Sequence, residues 1–309
     1  MYYIGIDVGG TNIKAGLVTA DGTIVNRAQR PSGSQRLSSE IAADMVALAK
    51  EVSTGVSDIQ SIGIGVPGAC NDEKGTIIYT ANMNFRDFPI RDFVQSQLSI
   101  PVHIGNDANC AALGEYFMLP DKVQDMVFIT LGTGIGGGLI INGNLYTGSN
   151  GIAGEVGHLM IQKGGKPCGC GRRGCWEAYA SVTALIEQTI TYAKQNPDSA
   201  VAKACGADFS AASGKTSFLL AKAGDAGAQS IVDTWIGYVA DGIVDMVNLF
   251  QPALILIGGA ISREGDVLLN PIREIVERDM YKSDTAMPSL RIAELGNDAG
   301  LIGAAFLGR

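Results

Sequence analysis

Apolar residues at Ile41, Met45, Leu48 and Val52 recur at the spacing of one helix face, which predicts a helix over 38–51. The same pattern predicts helices over 181–195 and 228–250, with Pro252 stopping the latter. The apolar positions of these helices are core. Short apolar runs at 3–6, 102–104 and 127–131 predict strands. The stretch 207–227 is rich in Ala, Gly and Ser and reads equally as a loop or a weak helix. The longest clean apolar run, 253–257, is far short of the roughly 20 residues that span a bilayer, so no membrane partner is expected.

The strand segments repeat. Gly10-Thr11-Asn12-Ile13-Lys14-Ala15-Gly16-Leu17-Val18, followed by an Asp21-Gly22 turn, is matched by Gly132-Thr133-Gly134-Ile135-Gly136-Gly137-Gly138-Leu139-Ile140, followed by an Asn142-Gly143 turn. Asp-Gly and Asn-Gly are preferred in tight hairpins, so each segment reads as strand, Gly-Thr loop, strand, turn, strand. Two weaker matches follow in the same order. Ser61-Ile62-Gly63-Ile64-Gly65-Val66 resembles Leu254-Ile255-Leu256-Ile257-Gly258-Gly259, and Gly105-Asn106-Asp107-Ala108 recurs as Gly296-Asn297-Asp298-Ala299. Three matches in one order indicate a duplication. They predict two similar α/β lobes facing each other across a cleft, the second carrying an insertion at about 148–250.

Composition narrows the class. The 309 residues are 46% hydrophobic and 17% charged, enough apolar content for real cores and for two lobes. The net charge of −8 and the lack of any basic run argue against a nucleic-acid partner. The chain opens directly into Tyr2-Tyr3-Ile4 with no signal-peptide pattern, so a cytoplasmic address is expected. Its 41 glycines are about twice average usage and point to tight turns or backbone close to a ligand.

A Gly-Thr turn between strands exposes backbone N–H groups and a hydroxyl, a concavity suited to anions. A facing pair suits a polyphosphate. No helix follows the glycines and no Gly-Lys-Ser/Thr occurs, so this is neither a Walker loop nor a dinucleotide fingerprint. Asp7 ends the first strand just before the glycines, where a carboxylate beside phosphates holds Mg²⁺ directly or through water. Lys14 reaches phosphate as a point charge.

His158, Cys168, Cys170 and Cys175 offer one imidazole and three thiolates, the donor set of a closed structural zinc site. Cys70, Cys110 and Cys205 remain as buried thiols. With His158 given to metal, His103 is the other histidine, and its alternating strand makes it structural. Carboxylates are then the acid/base candidates. Asp107 sits where a strand enters a helix, the place at which cleft residues of α/β sheets collect, or where an Asp caps a helix. Asp298 has an equal claim. Glu155 and Glu177 flank the Cys/His segment and suit either a polyhydroxylated ligand or a solvated surface.

Ile6-Asp7-Val8-Gly9-Gly10-Thr11, Gly105-Asn106-Asp107-Ala108-Asn109, Leu131-Gly132-Thr133-Gly134-Ile135-Gly136-Gly137-Gly138, Gly154-Glu155-Val156-Gly157-His158 and Cys168-Gly169-Cys170-Gly171 through Ser181 together resemble the ROK family of sugar kinases, and within it the bacterial glucokinases. The resemblance implies an actin/hexokinase-type (ribonuclease H-like) duplicated two-lobe α/β fold with a zinc-containing insertion in the second lobe. The implied lobes are 1–108, completed by about 298–309, and 109–297. It implies ATP-dependent, Mg²⁺-assisted phosphorylation of a hexose, glucose first, and a homodimer. Carried over by position, Asp107 is the catalytic base, which separates it from Asp298. Asn106, Glu155, His158 and Glu177 contact sugar hydroxyls, His158 also ligating zinc, and Gly68 and Asn82 match looser sugar-lining positions. Asp7, Gly9, Gly10, Thr11, Asn12, Lys14, Gly132, Thr133, Gly134, Gly136, Gly137, Gly138, Gly258 and Gly259 are the expected nucleotide-binding residues. The family also contains fructokinases, N-acetylglucosamine and N-acetylmannosamine kinases, and sugar-responsive repressors with an extra N-terminal helix-turn-helix. The first expected strand begins at residue 2, which leaves no room for such a segment here.

Overall fold

Strand β1 (Tyr2–Val8) is buried along most of its length because it is the central strand of a five-stranded sheet. It pairs antiparallel with β2 (Asn12–Thr19), which pairs antiparallel with β3 (Ile24–Pro31). Helix α1 (Ser38–Val52) follows, with Ile41, Met45, Leu48 and Val52 all buried, as their spacing predicts. Strand β4 (Ile59–Val66) returns parallel to β1. Strands β5 (Gly68–Asn71), β6 (Thr76–Thr80) and β7 (Arg86–Phe88) make a small antiparallel sheet of their own. Helix α2 (Ile90–Leu98) leads into β8 (Val102–Asn106), which lies parallel to β4, and then into α3 (Asp107–Met118). The coordinates are a computed structural model describing residues 1–33, 35–80, 82–281 and 286–309.

The second half repeats this order. Strands β9 (Met126–Leu131), β10 (Ile135–Ile141) and β11 (Asn144–Leu145) form the strand–loop–strand–turn–strand unit. At its turn Asn142 and Gly143 have φ of 52° and 75°, the paired left-handed conformation of a tight hairpin. An insertion follows with α4 (Glu177–Ala180), α5 (Val182–Gln195), α6 (Ala200–Cys205), α7 (Thr216–Lys222) and α8 (Ala226–Phe250). The open stretch 207–227 is thus turns, α7 and the start of α8. Strand β12 (Leu254–Gly258), helix α9 (Asp266–Asp279), strand β13 (Ser289–Ile292) and helix α10 (Ala299–Ala305) complete the chain. The sheets run β3-β2-β1-β4-β8 and β11-β10-β9-β12-β13. Counting only the strands of each sheet in chain order, both run third, second, first, fourth, fifth, so the duplication is one of topology as well as of motif.

The chain forms two compact units: Met1–Phe128, Gly138–Gly154 and Glu294–Arg309 make the first, Ile129–Gly137 and Glu155–Ala293 the second. The spans expected from the sequence cut the chain elsewhere, and α3 is the reason. A Cβ on Gly114 of α3 would strike the Ala299 carbonyl, and one on Gly303 of α10 would strike the Cys110 carbonyl. The helices therefore touch backbone to backbone and share a unit. Gly5 and Gly63 let α10 lie equally close on β1 and β4. No helix among the described residues is long and apolar enough to cross a membrane.

Candidate active site

In the first unit, the loop after β1 is held by a strap that the sequence pattern did not reveal. Fully buried Ser32 donates its hydroxyl to the Gly10 carbonyl at 2.7 Å and its backbone N–H to the Thr11 carbonyl at 2.9 Å. Gly9 donates to the Asn12 carbonyl at 2.9 Å, closing the turn. Gly10 and Thr11 remain exposed at its tip. Asp7, at the foot of the loop, lies 3.9 Å from Lys14 Nζ. Burial raises its pKa, opposed by the Lys14 charge. It faces α10 where Gly300 has no side chain; a Cβ there would stand 3.5 Å from Asp7 Cγ. One carboxylate beside an open loop fits Mg²⁺, which keeps most of its waters and binds through one or two carboxylates plus substrate phosphates.

The β8–α3 junction holds Asn106 at both ends of its amide. Its oxygen caps α3, accepting from Ala108 N at 2.9 Å and Asn109 N at 3.1 Å. Its Nδ2 donates to the Gly68 carbonyl at 3.2 Å. Gly68 has no room for a Cβ, which would strike the Tyr79 carbonyl. Asp107 is the first residue of α3, half-buried, its Oδ1 accepting from Ala108 N at 2.9 Å. The Cys110 thiol, fully buried one turn on, is pushed well up by burial, and the nearby charges of Cys70, Asp107 and Asp7 add to this. Asp298 has a different setting. It ends a 3₁₀ turn before α10, and Arg27 grips both its oxygens at 2.6 and 2.8 Å. Asn82 is exposed. His103 is structural: its Nδ1 lies 3.4 Å from Asp72, which also takes Arg91 at 2.6 Å and Ile104 N at 2.8 Å.

In the second unit the other Gly-Thr loop is fastened to the insertion. Gly132 O accepts from Val182 N at 2.9 Å and Thr133 O from the Thr183 hydroxyl at 2.7 Å. Glu177 Oε2 accepts from Ile135 N at 2.9 Å, and a Cβ on Gly134 would collide with that carboxylate. The turn after Gly258 joins the same end: Gly259 has φ +91°, and a Cβ on it would strike the Leu131 carbonyl. Gly136 and Gly137 lie along β10. Gly138, in the first unit, gives β10 its close approach to Ala112 of α3.

His158, Cys168, Cys170 and Cys175 converge, with one donor atom from each within 4.8 Å of the others. His158 Nδ1 is 3.6 Å from Cys168 Sγ, and Cys170 Sγ is 3.6 Å from Cys175 Sγ. Ligands at the usual zinc distances on a tetrahedron are roughly 3.3–3.8 Å apart, so the cluster fits one metal ion. Burial, reinforced by the neighbouring thiols, pushes the Cys168 thiol up to about 12. Trp176 anchors the segment: it is fully buried, donates its indole N–H to the Tyr238 carbonyl at 2.7 Å, and lies over Gly242 where any Cβ would collide. The next residue is Glu177, whose second oxygen lies 3.7 Å from Cys168 Sγ. Glu155 is exposed at the start of the 3₁₀ turn Val156–His158. Cys70, Cys110 and Cys205 are buried thiols, none of them in a disulfide.

The duplicated α/β topology, with its glycine loops, strand-end aspartate and Cys/His cluster, is the actin/hexokinase-like fold of the ROK sugar kinases. A family model described as the ROK family matches residues 3–309, and the chain belongs to that family. It is 39% identical to a glucokinase of Halalkalibacterium halodurans over 99% of this chain and 94% of the relative. It is 36% identical to a glucokinase of Streptomyces coelicolor over 99% and 97% of the two chains. The solved ROK family glucokinase from Streptomyces griseus, in complex with glucose and AMPPNP, superposes with a TM-score of 0.83 at 35% identity, covering 99% of each chain.

Proposed function

We propose that this chain is an ATP-dependent glucokinase, transferring the γ-phosphate of ATP to the 6-hydroxyl of glucose. The observation that carries the reading is the β8–α3 junction. Asp107 is presented by the first turn of α3 next to an Asn106 whose amide is fixed at both ends, in the same unit as Asp7 and the strapped 9–12 loop.

In this reading Asp107 takes the proton from the 6-hydroxyl as that oxygen attacks phosphorus. Phosphoryl transfer needs mainly positioning and charge stabilisation. Backbone N–H groups of the 9–12 and 132–134 loops, Gly258 and Gly259, and the Lys14 charge hold the phosphates. Mg²⁺, when bound near Asp7, neutralises phosphate charge. Asn106, Glu155, His158 and Glu177 take sugar hydroxyls, with Gly68 and Asn82 beside them. Zinc held by His158, Cys168, Cys170 and Cys175 stiffens the loop that carries His158 and Glu177. The relatives' names and the glucose-bound neighbour support the substrate. A homodimer and a cytoplasmic address belong to the same proposal. A coupled assay of ATP consumption over a panel of hexoses tests it. Hexose-dependent turnover is expected, and sugar binding without turnover would favour a sugar-responsive regulator instead.

A further inference from the structure

Glu115 lies two turns beyond Asp107 on α3 and is only 4% exposed. Both its oxygens accept backbone amides far away in the chain. Oε1 takes Leu295 N at 2.8 Å, and Oε2 takes Glu294 N at 3.0 Å. Burial raises the Glu115 pKa and the two backbone N–H bonds oppose that rise; they also satisfy both oxygens of a carboxyl group that is otherwise costly to bury. The two amides open the turn Gly296–Asp298, which leads directly into α10. The second residue of α10 is Gly300, the residue against the Asp7 carboxyl. A short physical path therefore runs from α3 through Glu115 to residues 294–295, along α10, to Asp7. A second tie on the same turn, Arg27 with Asp298, is largely exposed, its side chains 56% and 35% accessible. Exposed pairs contribute little, so the buried tie dominates.

We propose that Glu115 is a positioning residue that sets α10 against Asp7 and thereby fixes Asp7 for the cation of the metal–nucleotide. Asp107 and Asp7 are then both referenced to one helix, Asp107 as its first residue and Asp7 through Glu115 and α10. The inference rests on the reading of Asp7 as the carboxylate near Mg²⁺. Glu115→Gln keeps the shape but turns one acceptor into an NH₂ group facing a backbone N–H, donor against donor. One strap is lost and the turn shifts.

The test is Mn²⁺ binding, read by electron paramagnetic resonance on the whole chain with AMPPNP present, alongside the Mg²⁺ dependence of kcat. For Glu115→Gln the Mn²⁺ Kd and the half-saturating Mg²⁺ should both rise on the order of ten-fold, with KM for glucose unchanged. Arg27→Ala should leave both in place. Gly300→Val perturbs the far end of the path with Glu115 intact and should give the same shift, so the inference stays testable if the Gln variant folds poorly. A lower Tm with unchanged cation affinity in Glu115→Gln, or unchanged affinity in Gly300→Val, would overturn the proposal. Asp7→Asn separates the layers. If it shifts the cation affinity and Glu115→Gln does not, the inference alone fails. If Asp7→Asn has no effect, the reading of Asp7 fails and the inference with it.

Discussion

The Glu177 carboxylate accepts the backbone N–H of Ile135 at 2.9 Å, tying the first turn of the Cys/His segment's helix to the second Gly-Thr loop. The residue carried over as a sugar contact is thus also a strut for the loop carried over as a phosphate cradle. The bare Gly134 makes this possible, because any side chain there meets the carboxylate. Gly134→Ala should break the strut. A hydrogen bond to a charged group is worth about 1.5–3 kcal/mol, so kcat/KM for ATP should fall about 10–100-fold. Steady-state kinetics with ATP varied check this, and an unchanged value would show that the loop does not depend on Glu177.

Asp107→Asn keeps size and polarity but cannot accept the proton. A positioned general base is worth about 10²–10⁴ in rate, so kcat should fall by that order with sugar binding largely kept. Asp298→Asn loses part of an exposed ion pair, worth about 1 kcal/mol or less, and should be far milder. Equal losses in the two variants would contradict the assignment.

Burial raises the Asp7 pKa in the folded chain. A raised carboxyl contributes stability when protonated, below its unfolded value of about 3.9, and that contribution is lost as pH rises through the folded value. At pH 7 the ionised Asp7 therefore costs stability. Asp7→Asn should raise Tm by a few degrees at pH 7 while lowering activity, and the gap in Tm should narrow towards pH 4. Thermal unfolding across that range checks the sign; a destabilised variant at pH 7 would show that the Lys14 attraction outweighs burial.

Metal analysis should find one zinc per chain. Cys170→Ala should lose it and loosen residues 155–178, since structural zinc supplies on the order of 10 kcal/mol in small domains. Hydrogen exchange in that segment gives the readout. Full activity in a chelated, metal-free sample would show that the metal does not hold the sugar loop.

The parts of the site readable in the sequence were those whose partners are near in sequence. The Gly-Thr hairpins announce themselves by their turn residues, and the four Cys/His donors lie within one loop. Helices 38–51, 181–195 and 228–250 were legible because each buries a periodic stripe. Ser32 under the 9–12 loop, Glu177 on Ile135 and Glu115 on residues 294–295 were not legible. A single polar side chain aimed at a distant backbone amide leaves no periodicity and no spacing. Asp107 and Asp298 were likewise indistinguishable by pattern, and Arg27, far away on β3, is what separates their settings. The small sheet of β5, β6 and β7 escaped because its strands are short and only partly buried.

The most direct measurement is kcat/KM for glucose, fructose, N-acetylglucosamine and N-acetylmannosamine, side by side with saturating Mg-ATP. In the proposed reading Glu155, Glu177, Asn106 and His158 take the sugar hydroxyls, and none of these four side chains offers an apolar partner to an N-acetyl methyl. A pocket built to hydrogen-bond a hydroxyl can reject an analogue lacking it by roughly 10⁴-fold. Glucose should therefore have the highest value of the four. A higher value for any other sugar would overturn glucose as the substrate while leaving a sugar kinase, and no hexose-dependent ATP turnover at all would contradict the kinase itself.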